Sequence, residues 1–289
     1  MTMSTVFLNG DFLPEEQASI SPLDRGFIFG DGVYEVIPVY NGHLFRLDEH
    51  LQRLSNSLSS VHITAPYNND EWPQLLNKLA TQNGGGNLSL YLQITRGIAQ
   101  RDHAFPHDTR PTVFAMCNAL HPVSEVIQHD GVKAITLDDT RWKNCHIKSI
   151  SLLPNILLRQ QALDNGAAEA ILVRDNNVTE GAASNLFIVS DGTLITPPKG
   201  SKLLPGITRD LILELALNNN IPMRETEISM AALTAADEIW LSSSTKEIIP
   251  VTQLNETPVG NGKPGALWTN MIKLYQQYKQ DYNSQEQED

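Results

Sequence analysis

The change of pattern around HPVSEVIQHDG, near Pro122, constrains the fold of this chain more than any other feature. Before it, β-rich runs (VFLNGDFL, VYEVIPVY, LSLYLQITRG, RPTVFAMCNA) flank two helical stretches. VYEVIPVY runs into Asn41-Gly42 and HLF, a hairpin signal because both turn residues tolerate positive φ. RLDEHLQRLSNSL reads as a helix with Leu47, Leu51, Leu54 and Leu58 on one stripe, and Arg46, His50 and Arg53 at the same spacing on another face. NDEWPQLLNKLATQN is a second helix with Pro73 in its first turn. After the break, strand and helix alternate: VKAITLDD, LLPNILLRQQALDNG, AEAILVRD, NLFIVSDG, TLITPP, GITRDLILELALNNN and EIWLSSS, then a helix over 264–281. The pattern predicts an α/β (α+β) protein of two abutting domains, 1–122 and 123–289, with a cleft between them.

Composition narrows the function classes. The 289 residues are 41% hydrophobic and 19% charged, enough for two modest cores. A net charge of −12 speaks against nucleic acid and anionic membranes as partners. No apolar run approaches the roughly 20 residues of a spanning helix, and MTMSTVFLNGDF lacks the basic and apolar regions of a secretory signal. The two cysteines, Cys117 and Cys145, form neither a CxxC nor a disulfide-rich pattern, so a reducing cytoplasm is expected. Pro106 between His103 and His107 argues against a helical ligand pair, and no metal site is expected.

There is no GxGxxG, Walker loop, GxSxG elbow or HExxH. Five stretches carry the remaining chemistry. Lys148, in RWKNCHIKSISLLPN, sits between Ile147 and Ile150, as a surface cation or as an amine kept from water to act as a nucleophile. GITRDLIL offers the free N–H groups of a helix start at Ile207 and Thr208, which suit a phosphate. Ser244 and Thr245, with Ser242 and Ser243, follow the apolar strand EIW, Arg53 stands on its helix face, and Glu180 stands beside Gly181 between apolar runs. Each alone reads as ordinary surface, cap or turn. Together they meet one requirement: a phosphate-bearing aldehyde cofactor bound through a lysine, with a carboxylate holding its ring nitrogen protonated. That cofactor is pyridoxal phosphate.

The motifs DRGFIFGDGVYEV, HLQRL, HIKSISLLPN, VTEGAASN and LLPGITRD, in this order, resemble those of the fold-type-IV pyridoxal-phosphate enzymes, the class IV aminotransferases. The resemblance runs from about Phe7 to the C-terminal helix. It implies a two-domain subunit with the cofactor in the interdomain cleft, Lys148 as the Schiff-base lysine in the C-terminal domain, and Glu180 at the ring nitrogen. Arg53, the backbone of Ile207 and Thr208, and the Ser244 and Thr245 hydroxyls would hold the phosphate. TRGIAQRDHAFP resembles the D-amino-acid branch, whose Arg-x-His pair is matched by Arg101 and His103 and whose partner tyrosine is matched by Tyr34; these three would bind the substrate α-carboxylate. Ala182 and Ala183 depart from the serines usual in that branch, which bears on cofactor hydrogen bonding and substrate preference.

The resemblance further implies a homodimer in which Arg101 and His103 reach the partner's site. The reaction it implies passes the amino group of a D-amino acid such as D-alanine to 2-oxoglutarate, with the Lys148 amine as general base and acid. A branched-chain L-aminotransferase, a lyase of the aminodeoxychorismate type and a cofactor-binding protein without turnover are the alternatives. The first should lack the RDH loop, and the last fits poorly with a retained lysine and glutamate.

Overall fold

The computed structural model describes residues 4–285. Of these, 4–121 and 147–152 make one compact unit, and 122–146 and 153–285 make another.

In the first unit the elements run β1 (Thr5–Leu8), β2 (Asp11–Pro14), α1 (Arg25–Phe29), β3 (Gly32–Tyr40), β4 (His43–Leu44), α2 (Leu47–Ser60), α3 (Glu71–Gln82), β5 (Leu88–Thr95) and β6 (Thr112–Ala119). The strands form one antiparallel sheet in the order β2-β1-β6-β5-β3-β4. Asn41 and Gly42 both take positive φ, 51° and 90°, closing the β3–β4 hairpin as the sequence predicts. The α2 stripe of Leu51, Leu54 and Leu58 packs into one core with Leu76 and Leu79 of α3 and Leu90, Leu92 and Ile94 of β5. Alternation along β3 sends Val33, Glu35, Ile37 and Val39 inward. Glu35 is the exception in that apolar row, and its carboxylate requires partners.

In the second unit they run α4 (Glu125–Asp130), β7 (Val132–Asp138), α5 (Leu153–Asp164), β8 (Glu169–Arg174), β9 (Asn177–Gly181), β10 (Asn185–Ser190), β11 (Thr193–Thr196), α6 (Ile207–Asn218), β12 (Met223–Glu225), β13 (Ile228–Ser229), α7 (Met230–Thr234), β14 (Glu238–Ser243), β15 (Glu247–Leu254), β16 (Thr257–Pro258) and α8 (Ala266–Gln285). The sheet order is β12-β11-β10-β14-β15-β7-β8-β9-β13, with β16 paired to β15. β7 and β8 are parallel, so the chain crosses between them through α5. Leu158 and Ala162 of α5 pack on Ile135, Ala170, Leu172 and Ala182. A second cluster joins Ile171, Leu186, Ile188, Ile239 and Leu241 with Leu233 of α7.

The lysine-bearing segment is a departure from the expected boundaries. The break at Pro122 does open the second unit, but Ile147–Leu152 returns to the first. Backbone pairing is the cause. Tyr34 N donates to Lys148 O (2.9 Å) and Ile150 N to Gly32 O (3.1 Å), with a Val33–Ser149 bridge between them. Lys148 N donates to Ser57 Oγ (3.2 Å), and Ile147 packs on the first core. The segment is in effect an extra strand on the start of β3, which no period in HIKSIS could reveal.

Leu90, fully buried at the centre of the first sheet, sets a stability test. Leu90→Ala should destabilise by about 2–5 kcal/mol in urea unfolding, through lost transfer energy and the cavity left behind. Val126→Ala, at a position 67% exposed, should stay within about 0.5 kcal/mol of the parent.

Candidate active site

In the first unit, the Lys148 Nζ lies 4.0 Å from the centroid of the Tyr34 ring. Tyr34 is on the opposite face of β3 from Glu35 and also meets the Tyr91 ring, at 5.7 Å. Among the described residues no carboxylate pairs with the Lys148 ammonium. The amine is half-buried and held through its backbone, an arrangement that suits a nucleophile better than a structural ion pair.

Arg53 is 6% exposed, and its Nε and Nη2 grip Glu35 Oε1 and Oε2, each at 2.8 Å. His50 Nδ1 meets Glu35 Oε2 at 2.8 Å. Burial alone would push the Glu35 carboxyl up, but Arg53 and His50 outweigh it and hold it well below the usual carboxylate range. Burial also lowers the His50 pKa, against the pull of Glu35. The spacing of His50 and Arg53 marked a helix face. Glu35 was passed over, although an acid on the inward face of β3 is itself a signal.

Arg101 and His103 come together on one aromatic ring. The Arg101 Cζ is 5.4 Å from the Phe29 centroid, and the His103 ring is 5.5 Å from it. Both residues are exposed.

In the second unit Glu180, at the end of β9, is buried and fully engaged. Its Oε1 accepts from Arg141 Nη1 (2.5 Å), and its Oε2 from Leu204 N (3.0 Å) and Asn185 Nδ2 (3.3 Å). Burial pushes the Glu180 carboxyl up to about 7, and the pull of Arg141 works against it. Arg141 also forms a two-point pair with Asp139, Nε to Oδ1 at 2.9 Å and Nη2 to Oδ2 at 3.0 Å. Arg141, Asp139 and Asn185 were not read as site residues. A basic residue opening an apolar-flanked segment was the one available hint.

Asn185 ties this carboxylate to a helix start. Its Nδ2 also donates to Leu204 O at 2.8 Å. Its Oδ1 would lie 1.9 Å from a Cβ on Gly206, so only glycine fits there. Gly206 precedes α6 in extended conformation with no side-chain cap, leaving the Ile207 and Thr208 N–H groups to an outside acceptor. Ser242 pairs with Asn185 across β10 and β14, and its buried Oγ has no hydrogen-bond partner. Ser244 and Thr245 lie in the turn just beyond, at the same end of β14. The register thus collects Glu180, the α6 start and the hydroxyl turn at one end of the sheet. The Ala182 methyl is spent in the apolar cluster under α5, while Ala183 is exposed.

Comparison with known proteins shows the family. The class IV amino-transferase family model matches residues 32–254, and the chain belongs to that family. A D-alanine aminotransferase of Staphylococcus epidermidis is 38% identical over 283 residues, 97% of this chain and all of that one. One of Bacillus licheniformis is 40% identical over 266 residues, 92% of this chain and 94% of that one. Among solved structures, a branched-chain amino acid aminotransferase of Escherichia coli superimposes with TM-score 0.88 at 26% identity, over 94% of this chain and 93% of that one. A fold IV transaminase of Curtobacterium pusillum gives 0.81 at 25%, over 94% and 97%. The chain is an aminotransferase with the fold-type-IV architecture.

Enzymes of this class work with pyridoxal phosphate, and the residues present fit it. The uncapped start of α6 and the unpartnered Ser242 hydroxyl suit a phosphate, and the Glu180 carboxyl suits a cationic ring nitrogen. Among the described residues no helix is long and apolar enough to cross a membrane.

The Glu180 carboxyl sets a pH test. A carboxyl whose folded pKa is raised favours the fold while protonated. Its contribution is complete below about 4.5 and is lost as pH rises through about 7. In urea unfolding of cofactor-free protein, the stability of the parent relative to Glu180→Gln should therefore fall between pH 4.5 and 7. A difference flat across that range would mean that Arg141 fully offsets the burial.

Proposed function

We propose that this chain transfers the amino group of D-amino acids, D-alanine among them, to 2-oxoglutarate, using pyridoxal phosphate. The observation that carries the D-specific part is the convergence of Arg101 and His103 on Phe29. Two donors beside one ring suit a carboxylate, and the Tyr34 hydroxyl is assigned as the third. The similarity to D-alanine aminotransferases over nearly the full chain supports the same substrate class.

When bound, pyridoxal phosphate supplies an aldehyde for amines and an electron-poor ring that takes up the carbanion electrons of the substrate. The chain's residues supply the rest. Lys148 Nζ would hold the cofactor through its aldehyde and, as a free amine, would serve as general base and acid for the substrate Cα proton. Glu180 would accept a hydrogen bond from the ring nitrogen, and Arg141 works against the burial that raises the Glu180 pKa. Ile207 and Thr208 N–H and the Ser244 and Thr245 hydroxyls are assigned to the phosphate. Arg53 is assigned there too, with its Nε and Nη2 already on Glu35, so its contribution is mainly charge. Lys148 and Arg53 belong to one unit and Glu180 and Thr208 to the other.

The reading includes a cytoplasmic homodimer in which Arg101 and His103 serve the partner's site. Leu153, Ile156 and Leu157 of α5, each at least 60% exposed, support it as an apolar face of the kind a subunit contact covers. Cys117 and Cys145 are buried free thiols, which suits a reducing compartment.

The test is kinetic. D-alanine with 2-oxoglutarate should turn over, and L-leucine should not. Arg101→Leu should lose about ten- to a hundredfold in kcat/KM for D-alanine, the equivalent of one charge-assisted contact. His103→Ala should act in the same direction but more weakly. Full D-alanine activity in Arg101→Leu, or preference for L-leucine, would move the chain to another branch of the family.

A further inference from the structure

The loop between β5 and β6 forms no helix and no strand beyond a single bridge at Ile98, and Arg101 through Phe105 are all exposed. A segment of this kind has no core to set its shape. Its fixed points come instead from two buried guanidinium groups. Arg25, 3% exposed, donates from Nη1 to Asp102 O (2.6 Å) and to Ala104 O (3.3 Å), the carbonyls on either side of His103. Its Nε pairs with Asp31 Oδ2 at 2.8 Å.

Arg96, 6% exposed, reaches the same carboxylate with Nε and Nη2, at 2.8 and 2.9 Å. It also donates to Val61 O (2.7 Å) and His62 O (2.9 Å). The Arg96 Cζ is 3.8 Å from the Phe105 ring centroid, a cation–π contact at the far end of the RDH motif. The Arg25 Cζ is 4.8 Å from the Phe29 ring that carries Arg101 and His103. At the loop entry Gly97 takes φ +94°, and a Cβ there would lie 2.0 Å from Arg110 O. The entry and exit strands are thereby held back to back.

We propose that Arg25 and Arg96, rooted together on Asp31, are positioning residues that fix the Arg101–His103 loop and through it the grip on the substrate carboxylate; this rests on the assignment of Arg101 and His103 made above. The chemistry requires arginine. Only a planar fork can bond a carboxylate with one nitrogen and two backbone carbonyls with another, and a lysine keeps the charge but loses that span. Both amino-acid and oxo-acid substrates carry the carboxylate, so loosening the clamp weakens both while leaving Lys148 chemistry in place.

The experiment uses holoenzyme of the parent, Arg25→Lys, Phe105→Ala and Arg101→Leu. Three readouts are taken: steady-state kinetics, the visible spectrum of the bound cofactor, and the rate of tryptic cleavage after Arg101. In Arg25→Lys, KM for D-alanine and for 2-oxoglutarate should both rise about fivefold or more, with kcat within about twofold. Cleavage after Arg101 should quicken about fivefold or more, because the loop opens more often, and the spectrum should stay unchanged. Phe105→Ala, at a position 54% exposed where folding is not at stake, should move KM and cleavage in the same direction by less. Cleavage rates unchanged in both clamp variants overturn the proposal, as does an unchanged KM in both while Arg101→Leu raises it. A parental KM in Arg101→Leu itself overturns the carboxylate assignment on which the clamp rests.

Discussion

The backbone pairing of Lys148–Ile150 with Gly32–Tyr34 is the constraint on which the rest of the site depends. It takes a lysine from the strand-and-helix series of the second half and adds it to the sheet of the first. The amine lies over the Tyr34 ring on a backbone fixed by the two main-chain bonds of that bridge, and among the described residues no carboxylate pairs with it. Main-chain fixing matters chemically. An amine that is to bond an aldehyde and then carry protons must be placed without being neutralised by a resident carboxylate.

Three of the acids are gripped at two points by an arginine. Glu35 has Arg53 and His50, Asp31 has Arg25 and Arg96, and Asp139 has Arg141. Glu180 has three donors but no two-point arginine. Arg141 reaches it through a single nitrogen while spending its fork on Asp139, so burial still raises the Glu180 pKa. A carboxylate left partly uncompensated in a dry site has electrostatic capacity to spare for one more cationic partner, the use to which a protonated ring nitrogen would put it.

Much of this was legible in the sequence where the signal was periodic. The leucine stripe of α2, the Asn41-Gly42 hairpin and the start of α6 appear as read, because each is a local preference that tertiary packing reinforces. β15, EIIPVTQL, is harder to read because its proline interrupts a run otherwise suited to a strand. The short helix α1 was hidden in the glycine-rich DRGFIFGDG, where Asp24 caps it by accepting from Gly26 N. The lysine segment was assigned to the wrong unit for a different reason: its pairing is made with residues more than a hundred positions away. The roles of Arg141, Asn185 and Asp31 depend on which side chains meet in space, and linear spacing holds no record of that. Motif resemblance found the groups assigned to cofactor and substrate. It did not find the groups that hold them.

The central claim is that Lys148, and no other amine, is the covalent anchor. Lys246 is the natural rival, since it lies beside Thr245 in the turn after β14. Borohydride reduction of the cofactor-loaded protein followed by peptide mapping decides between them. The account predicts one modified peptide, containing HIKSI, with the cofactor mass on Lys148 and none on Lys246. Modification of Lys246 or of any other lysine in place of Lys148 would contradict it.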